Sequence, residues 1–204
     1  MSVLATNLFI LFMAHFEEQT FDIPELVGIS KTTIDEHLKL YAGYVKHANL
    51  IQEQMTGEAD PYAKMEMMRR FGFEFDGMRN HEYYFRAFEE GSQELNDGVL
   101  KNAIEKNFGS FESWLESFKT LAKTRGVGWA ILYYDPQTDQ LLNAWIDEQH
   151  FGHLTGLSPI LCLDMWEHSF VADYQPSGKG KYIDDFFTNL NWNVIEENFH
   201  KAHK

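Results

Sequence analysis

The chain has 204 residues and an apolar fraction of 44%, which suits one sizeable domain or two small lobes sharing a core and excludes an overall disordered chain. Its formal net charge is −14, with no basic stretch to offset the acidity, which excludes a nucleic-acid binder or a protein drawn to anionic membranes and requires locally placed Lys or Arg for any anionic substrate. A single cysteine, Cys162, excludes an internal disulfide framework and fits a reducing compartment, so the cytoplasm is the expected location.

In chain order, "VLATNLFILFMAHF" (3–16) is hydrophobic but too short and too interrupted for a membrane span. It also lacks the basic start and small-residue cleavage site of a secretory signal. We expect residues 1–20 to form a hydrophobic extension packed on the body or on a partner, with a degenerate export signal as the second reading. "FDIPELVGIS" (21–30) reads as an extended lead-in ending in a Ser30 helix cap. Ile34, His37, Tyr41, Tyr44, Ala48 and Ile51 then recur at intervals of three and four, one face of a regular helix. Asp60 and Pro61 open a second helix, whose face runs through Phe71, Phe75, Met78, His81, Phe85 and Phe88. Joined by a short connection, the two should form an antiparallel hairpin over residues 21–92, with His37 and His81 facing each other.

The polar stretch "EEGSQELNDG" (89–98) marks the change to a second domain, 93–204. It opens with helical segments, one capped by Ser110. "GWAILYYD" (128–135), "QLLNAWID" (140–147) and "SPILCLDMW" (158–166) read as three strands, the first two a hairpin closed by "PQTD". A last run around Tyr182–Phe199 is helical. The predicted class is α+β, mainly helical: an N-terminal antiparallel helical hairpin followed by an α+β lobe with a three-stranded antiparallel sheet.

A lone histidine on an apolar face is usually a hydrogen-bonded core residue, but two facing histidines change the reading once "DMWEHSF" (164–170) is added. Asp164 and His168 converge if the strand ends near Asp164 and the chain turns into a short helix. Three neutral imidazoles and a carboxylate form a nitrogen and oxygen set suited to iron, manganese or zinc, and the lack of thiolates argues against a structural zinc knot. A buried carboxylate also demands pairing or a metal.

The succession "FGSFESW" (108–114), "GVGWAILYYD" (126–135), "DMWEHSF" and "NWN" (191–193) resembles the iron/manganese superoxide dismutases, and the resemblance extends from about Phe21 to the C-terminus. The resemblance implies conversion of superoxide to dioxygen and hydrogen peroxide by one iron or manganese per subunit, held by His37, His81, Asp164 and His168. It implies that His150, in "DEQHFGH" (147–153), takes the place where the family usually has glutamine and a subset has histidine, touching the metal-bound solvent; His153 is the neighbouring candidate for the same place. Gly77 fits members whose solvent partner comes from the C-terminal lobe. Tyr44 resembles the gateway tyrosine, or reads as a core tyrosine; Trp129 and Trp166 resemble the aromatic walls of the metal site, or read as core filler. Glu167 is expected to bond the partner's equivalent of His168 across a homodimer.

Three departures stand out. His37 and Tyr44 are seven apart where the family usually has one more residue, so we expect a regular α-helix rather than a π-bulge. The cross-subunit histidine–tyrosine pair at the channel mouth becomes Tyr41 and Val171, which removes that hydrogen bond. The arginine before the last helix is replaced within "QPSGKGKY" (175–182), a flexible insertion by its glycines, leaving Lys179 or Lys181 to attract the anion. Two rival readings are a non-catalytic family member that binds metal or a partner, and an iron oxygenase using only two of the histidines.

Overall fold

The computed structural model describes residues 15–204, so the hydrophobic stretch of the expected extension, up to residue 14, lies outside the described residues. Residues 15–29 have no regular secondary structure and run along the helical hairpin. Phe16 and Asn49 exchange two hydrogen bonds, each 2.8 Å, and the Gln19 N–H donates to the Tyr41 hydroxyl at 2.9 Å. Phe21 packs edge-on to Tyr41 and against Phe85.

The hairpin is α1 (Lys31–Thr56) and α2 (Pro61–Arg86). Each starts where its sequence supplies an acceptor for a free first-turn N–H: Ser30 Oγ accepts from the Thr33 N–H at 3.1 Å, and Asp60 Oδ1 from the Tyr62 N–H at 2.9 Å. Contacts along α1 meet falling residue numbers on α2, His37 with Phe85, Tyr41 with Glu82 and Tyr44 with Phe73, so the helices are antiparallel. α1 is α-helical throughout with no π segment, as the seven-residue spacing predicts, and His37 and Tyr44 share its inner face.

α3 (Val99–Phe108) and α4 (Phe111–Ala122) lead into β1 (Gly128–Asp135), β2 (Gln140–Asp147) and β3 (Ser158–Asp164). These form one antiparallel sheet in the order β2-β1-β3. The central strand is apolar nearly end to end because both of its edges and both faces are covered. Buried Trp114, Trp129, Phe118 and Ile131 anchor this core, each such side chain contributing about 2–3 kcal/mol relative to exposure. The sheet brings Trp129 on β1 opposite Asp164 on β3, at the strand end nearest the hairpin helices.

After β3 come a 3-10 turn (Glu167–Ser169), the short α5 (Val171–Tyr174), a second 3-10 turn (Pro176–Gly178), α6 (Lys179–Asn189) and α7 (Trp192–Ala202). Two expectations are corrected here. The final helical run is two helices, because Leu190 is extended and Asn191 both caps α7 and donates its backbone N–H to the Ala87 carbonyl at 2.7 Å. "SGKG" is not a flexible insertion: Pro176–Gly178 makes a turn that passes directly into α6. No helix of the described residues is long and apolar enough to cross a membrane.

Candidate metal centre

His37 comes from α1, His81 from α2, Asp164 from the end of β3 and His168 from the 3-10 turn after it. Their ligand atoms lie within 4.8 Å of one another. Asp164 Oδ2 is the hub: His37 Nε2 is 3.0 Å away, His168 Nε2 3.2 Å and His81 Nε2 3.5 Å. His37, His81 and Asp164 are fully buried. Atoms bound to one ion at about 2.1 Å and at tetrahedral to right angles stand roughly 3.0–3.5 Å apart, which is the spacing of the three contacts to Asp164.

The protonation pattern argues for a cation. The Gly77 carbonyl can only accept, so the 2.6 Å contact with His81 fixes the hydrogen on Nδ1. His81 Nε2 is then a bare lone pair, buried, without a hydrogen-bond partner, and aimed at a carboxylate. Burial first, and then His37 beside it, pushes the His81 pKa down to about 3; burial lowers that of His37 too, against the opposing pull of Asp164. Burial pushes the Asp164 carboxyl up, but His168 and His37 outweigh it and hold the group well below the usual carboxylate range. Neutral His37 and His81 beside an ionised carboxylate are in the form a metal needs. The rest of Asp164 is fixed by donors: Oδ1 accepts from the Trp166 N–H at 2.7 Å, and its main-chain carbonyl from the Tyr182 hydroxyl at 2.9 Å. The donor set and the orphaned Nε2 fit an iron or manganese ion.

Around this cluster the structure corrects the sequence reading by one residue. Gln149, not His150, enters the site: its Nε2 donates to the Tyr44 hydroxyl at 2.9 Å and its Oε1 accepts from Trp129 Nε1 at 2.8 Å. The cause is the turn after β2. Asp147 and Phe151 exchange backbone hydrogen bonds of 2.9 and 3.1 Å, and Glu148 takes a left-handed conformation (φ 52°). Gln149 is thereby buried while His150 lies on Phe151, ring centroids 3.9 Å apart, and edge-on to Phe73. Glutamine is what the family usually has there, so the histidine-subset reading is withdrawn.

Tyr44 lies 5.0 Å from the His81 ring and 6.0 Å from Phe73. Trp129 packs edge-on to His81 and Trp166 stacks on His168. Trp166 Nε1 donates to the Glu148 carbonyl at 3.2 Å, tying the turn to the ligand segment. Gly77 is required by space: a Cβ there would fall 2.7 Å from Tyr44 Cδ1. Gly77→Ala should therefore push Tyr44 off Gln149 and reduce turnover about tenfold with metal content kept. Ala favours the helix by about 1 kcal/mol while overpacking costs about 1–3 kcal/mol, so stability should change little or fall. Wild-type turnover in a metal-replete Gly77→Ala protein would refute this.

Tyr41 is turned away from Val171. It is fully buried, with its hydroxyl on Gln19 and Glu82, and burial raises its pKa to about 12. Lys179 donates to the Thr124 carbonyl at 2.7 Å and Lys181 pairs with Asp185, so both are committed elsewhere. The cation beside the aromatic wall is Arg70, its guanidinium 3.5 Å over the Phe73 ring and bonded to Glu74 at 2.8 Å. Glu167 is exposed next to His168.

Residues 96–198 match the family described as iron/manganese superoxide dismutases, C-terminal domain. A superoxide dismutase [Fe] of Cupriavidus metallidurans is 33% identical over 192 residues, covering 87% of this chain and 92% of its own length. One from Aquifex pyrophilus is 33% identical over 191 residues, 88% of each chain. A superoxide dismutase [Mn] of Haloarcula marismortui is 43% identical over 122 residues, 60% of this chain and 59% of its own. The chain belongs to the iron/manganese superoxide dismutases. It is an oxidoreductase that converts superoxide to dioxygen and hydrogen peroxide with one iron or manganese per subunit. Relatives of both metal types are similar to it, in keeping with a nitrogen and oxygen ligand set that suits either ion.

Proposed function

We propose that His37, His81, Asp164 and His168 hold the metal of this superoxide dismutase; the observation that carries the assignment is the convergence of three Nε2 atoms on Asp164 Oδ2. An iron or manganese ion held by these four residues would supply one-electron redox chemistry, by which one superoxide is oxidised to dioxygen and a second is reduced to peroxide with uptake of two protons. The chain's part is to bind, to exclude water and to hold protons. Trp129, Trp166 and Phe73 wall the ligands from solvent. Burial first, and then the charge of Asp164, holds the Tyr44 phenol well above its usual pKa, so it stays protonated at neutral pH and donates only as a hydrogen bond. Gln149 fixes that hydroxyl by donating to its oxygen and is itself fixed by Trp129. Tyr44 and Gln149 thus form the proton-handling side of the site.

The exposed Glu167 beside His168 supports a homodimer in which Glu167 of one subunit bonds His168 of the other. The helical hairpin and the α+β region act as two domains that share the metal. A cytoplasmic location agrees with the lone, buried Cys162. The deciding experiment measures metal per subunit in protein purified without added metal, and superoxide consumption on that sample after iron-only and manganese-only loading. Near-stoichiometric binding with activity for at least one metal is the expected result. Full binding without activity would favour a metal-binding role alone, and no binding would overturn the ligand assignment.

A further inference from the structure

Gln149 is held by its backbone as well as its side chain, and one of the groups that hold it has no part in the metal cluster. The Gln149 carbonyl accepts two hydrogen bonds, from Asn80 Nδ2 and from His153 Nε2, each 3.1 Å. His153 sits four residues on, at the exit of the same turn. A carbonyl oxygen cannot donate, so the hydrogen of a neutral His153 is on Nε2. Nδ1 is then a lone pair, and the hydroxyl of Tyr133, a β1 residue almost wholly buried, lies 2.5 Å from it and donates to it. On the other side Asp76 Oδ2 of α2 is 3.9 Å from Nε2. The imidazole is thus gripped between the sheet and α2, with its one hydrogen directed at the peptide that carries Gln149.

We propose that His153 is a positioning residue of the dismutase: through the Gln149 carbonyl it sets the height and direction from which the Gln149 amide meets Tyr44 and Trp129. Three features support this over ordinary core packing. The tautomer of the neutral ring is set by the acceptor-only carbonyl at Nε2, and the Tyr133 hydroxyl is placed to donate to the lone pair this leaves at Nδ1. The backbone bonds of the turn, between Asp147 and Phe151 and from Glu148 to Val127, and the Trp166 bond to the Glu148 carbonyl all stop short of the Gln149 carbonyl, which is left to Asn80 and His153. Asn80, the second donor to the same carbonyl, directly precedes His81, so the peptide that aims Gln149 is referenced to the ligand helix by one bond and to the sheet by the other. A displacement near 1 Å in such a group is enough to cost a large factor in rate.

The inference rests on the reading that Gln149 addresses the metal site, and its test separates the two. The holoenzyme is prepared as wild type, Gln149→Ala, His153→Phe, His153→Gln, Tyr133→Phe and the double variant Gln149→Ala/His153→Phe, each checked for metal content. Visible absorption of the oxidised metal, its pH dependence and the midpoint potential are recorded beside turnover. His153→Phe should shift the spectrum and potential and slow turnover about tenfold with metal retained. His153→Gln, which keeps a donor at the same reach, should restore most of the loss, and Tyr133→Phe should reproduce it in part. In the Gln149→Ala background His153→Phe should add nothing. If Gln149→Ala leaves spectrum and potential unchanged, the reading of Gln149 fails. If Gln149→Ala changes them but His153→Phe does not, or if the two changes are additive, His153 is structural only. Should His153→Phe not fold, Tyr133→Phe and His153→Gln decide: a wild-type spectrum and potential in Tyr133→Phe would overturn the proposal.

Discussion

Asp164→Ala should abolish both metal retention and superoxide consumption. The carboxylate is the only anion of the cluster and the atom on which all three imidazoles converge. Changes to groups that merely support metal ligands typically cost 10–100-fold in affinity, so loss of the hub should cost more than about 100-fold. Asp164→Asn is the sharper variant, because it keeps the shape and an oxygen for the Trp166 N–H while removing the charge. Metal analysis after dialysis against a chelator reads the result. Full metal and activity in Asp164→Asn would mean that the carboxylate is not a ligand.

A second large effect is expected with acid. Burial and the neighbouring His37 depress His81 to about 3 in the folded chain, below the ordinary value near 6.5. Between these two values the unfolded chain binds the proton and the folded chain does not. Stability therefore rises with pH across that interval, is fully present above about 6.5 and is lost as pH falls toward 3. Each unit of depression corresponds to about 1.4 kcal/mol, so His81 alone contributes a destabilisation of several kcal/mol at the acid end. The melting temperature of metal-free protein, followed from pH 7 to pH 4, should fall steeply, and His81→Gln should flatten the profile. A flat profile in the unsubstituted chain would show that the imidazole is not held neutral.

Much of this architecture is legible in the sequence because it rests on local chemistry. Ser30, Asp60 with Pro61, and Ser110 announce helix starts, and their side chains do accept the first-turn N–H groups. The strands of "GWAILYYD" and "QLLNAWID" coincide with β1 and β2 because their apolar character and the turn between them specify a hairpin. The break at Leu190 is less legible. It is made by Asn191 reaching across to Ala87 and Glu89, contacts about a hundred residues away in the chain. The turn at Glu148 escapes for a similar reason. Periodicity does not say which of three consecutive polar side chains faces inward when a non-glycine residue adopts positive φ, and a shift of one residue moves the assignment from Gln149 to His150. The buried gap between Trp129 and Tyr44 uses a neutral side chain that accepts from one and donates to the other, which rules out Glu148, but a neutral histidine also carries one donor and one acceptor, so chemistry alone does not separate Gln149 from His150.

The chain order of the four proposed ligands has a consequence for how the protein is made. His37 and Asp164 are 127 residues apart in sequence, and the last ligand, His168, emerges later still. A growing polypeptide that has completed the helical hairpin carries two imidazoles facing each other and no anion between them. Metal capture therefore belongs to the finished chain, and the ion then acts as a reversible cross-link closing a very long loop. In the chain-entropy picture a covalent tie across about 100 residues is worth roughly 4–5 kcal/mol. By the same logic, truncated products released early from synthesis would carry off little iron or manganese, and supply of the ion sets how many full-length chains are tied shut.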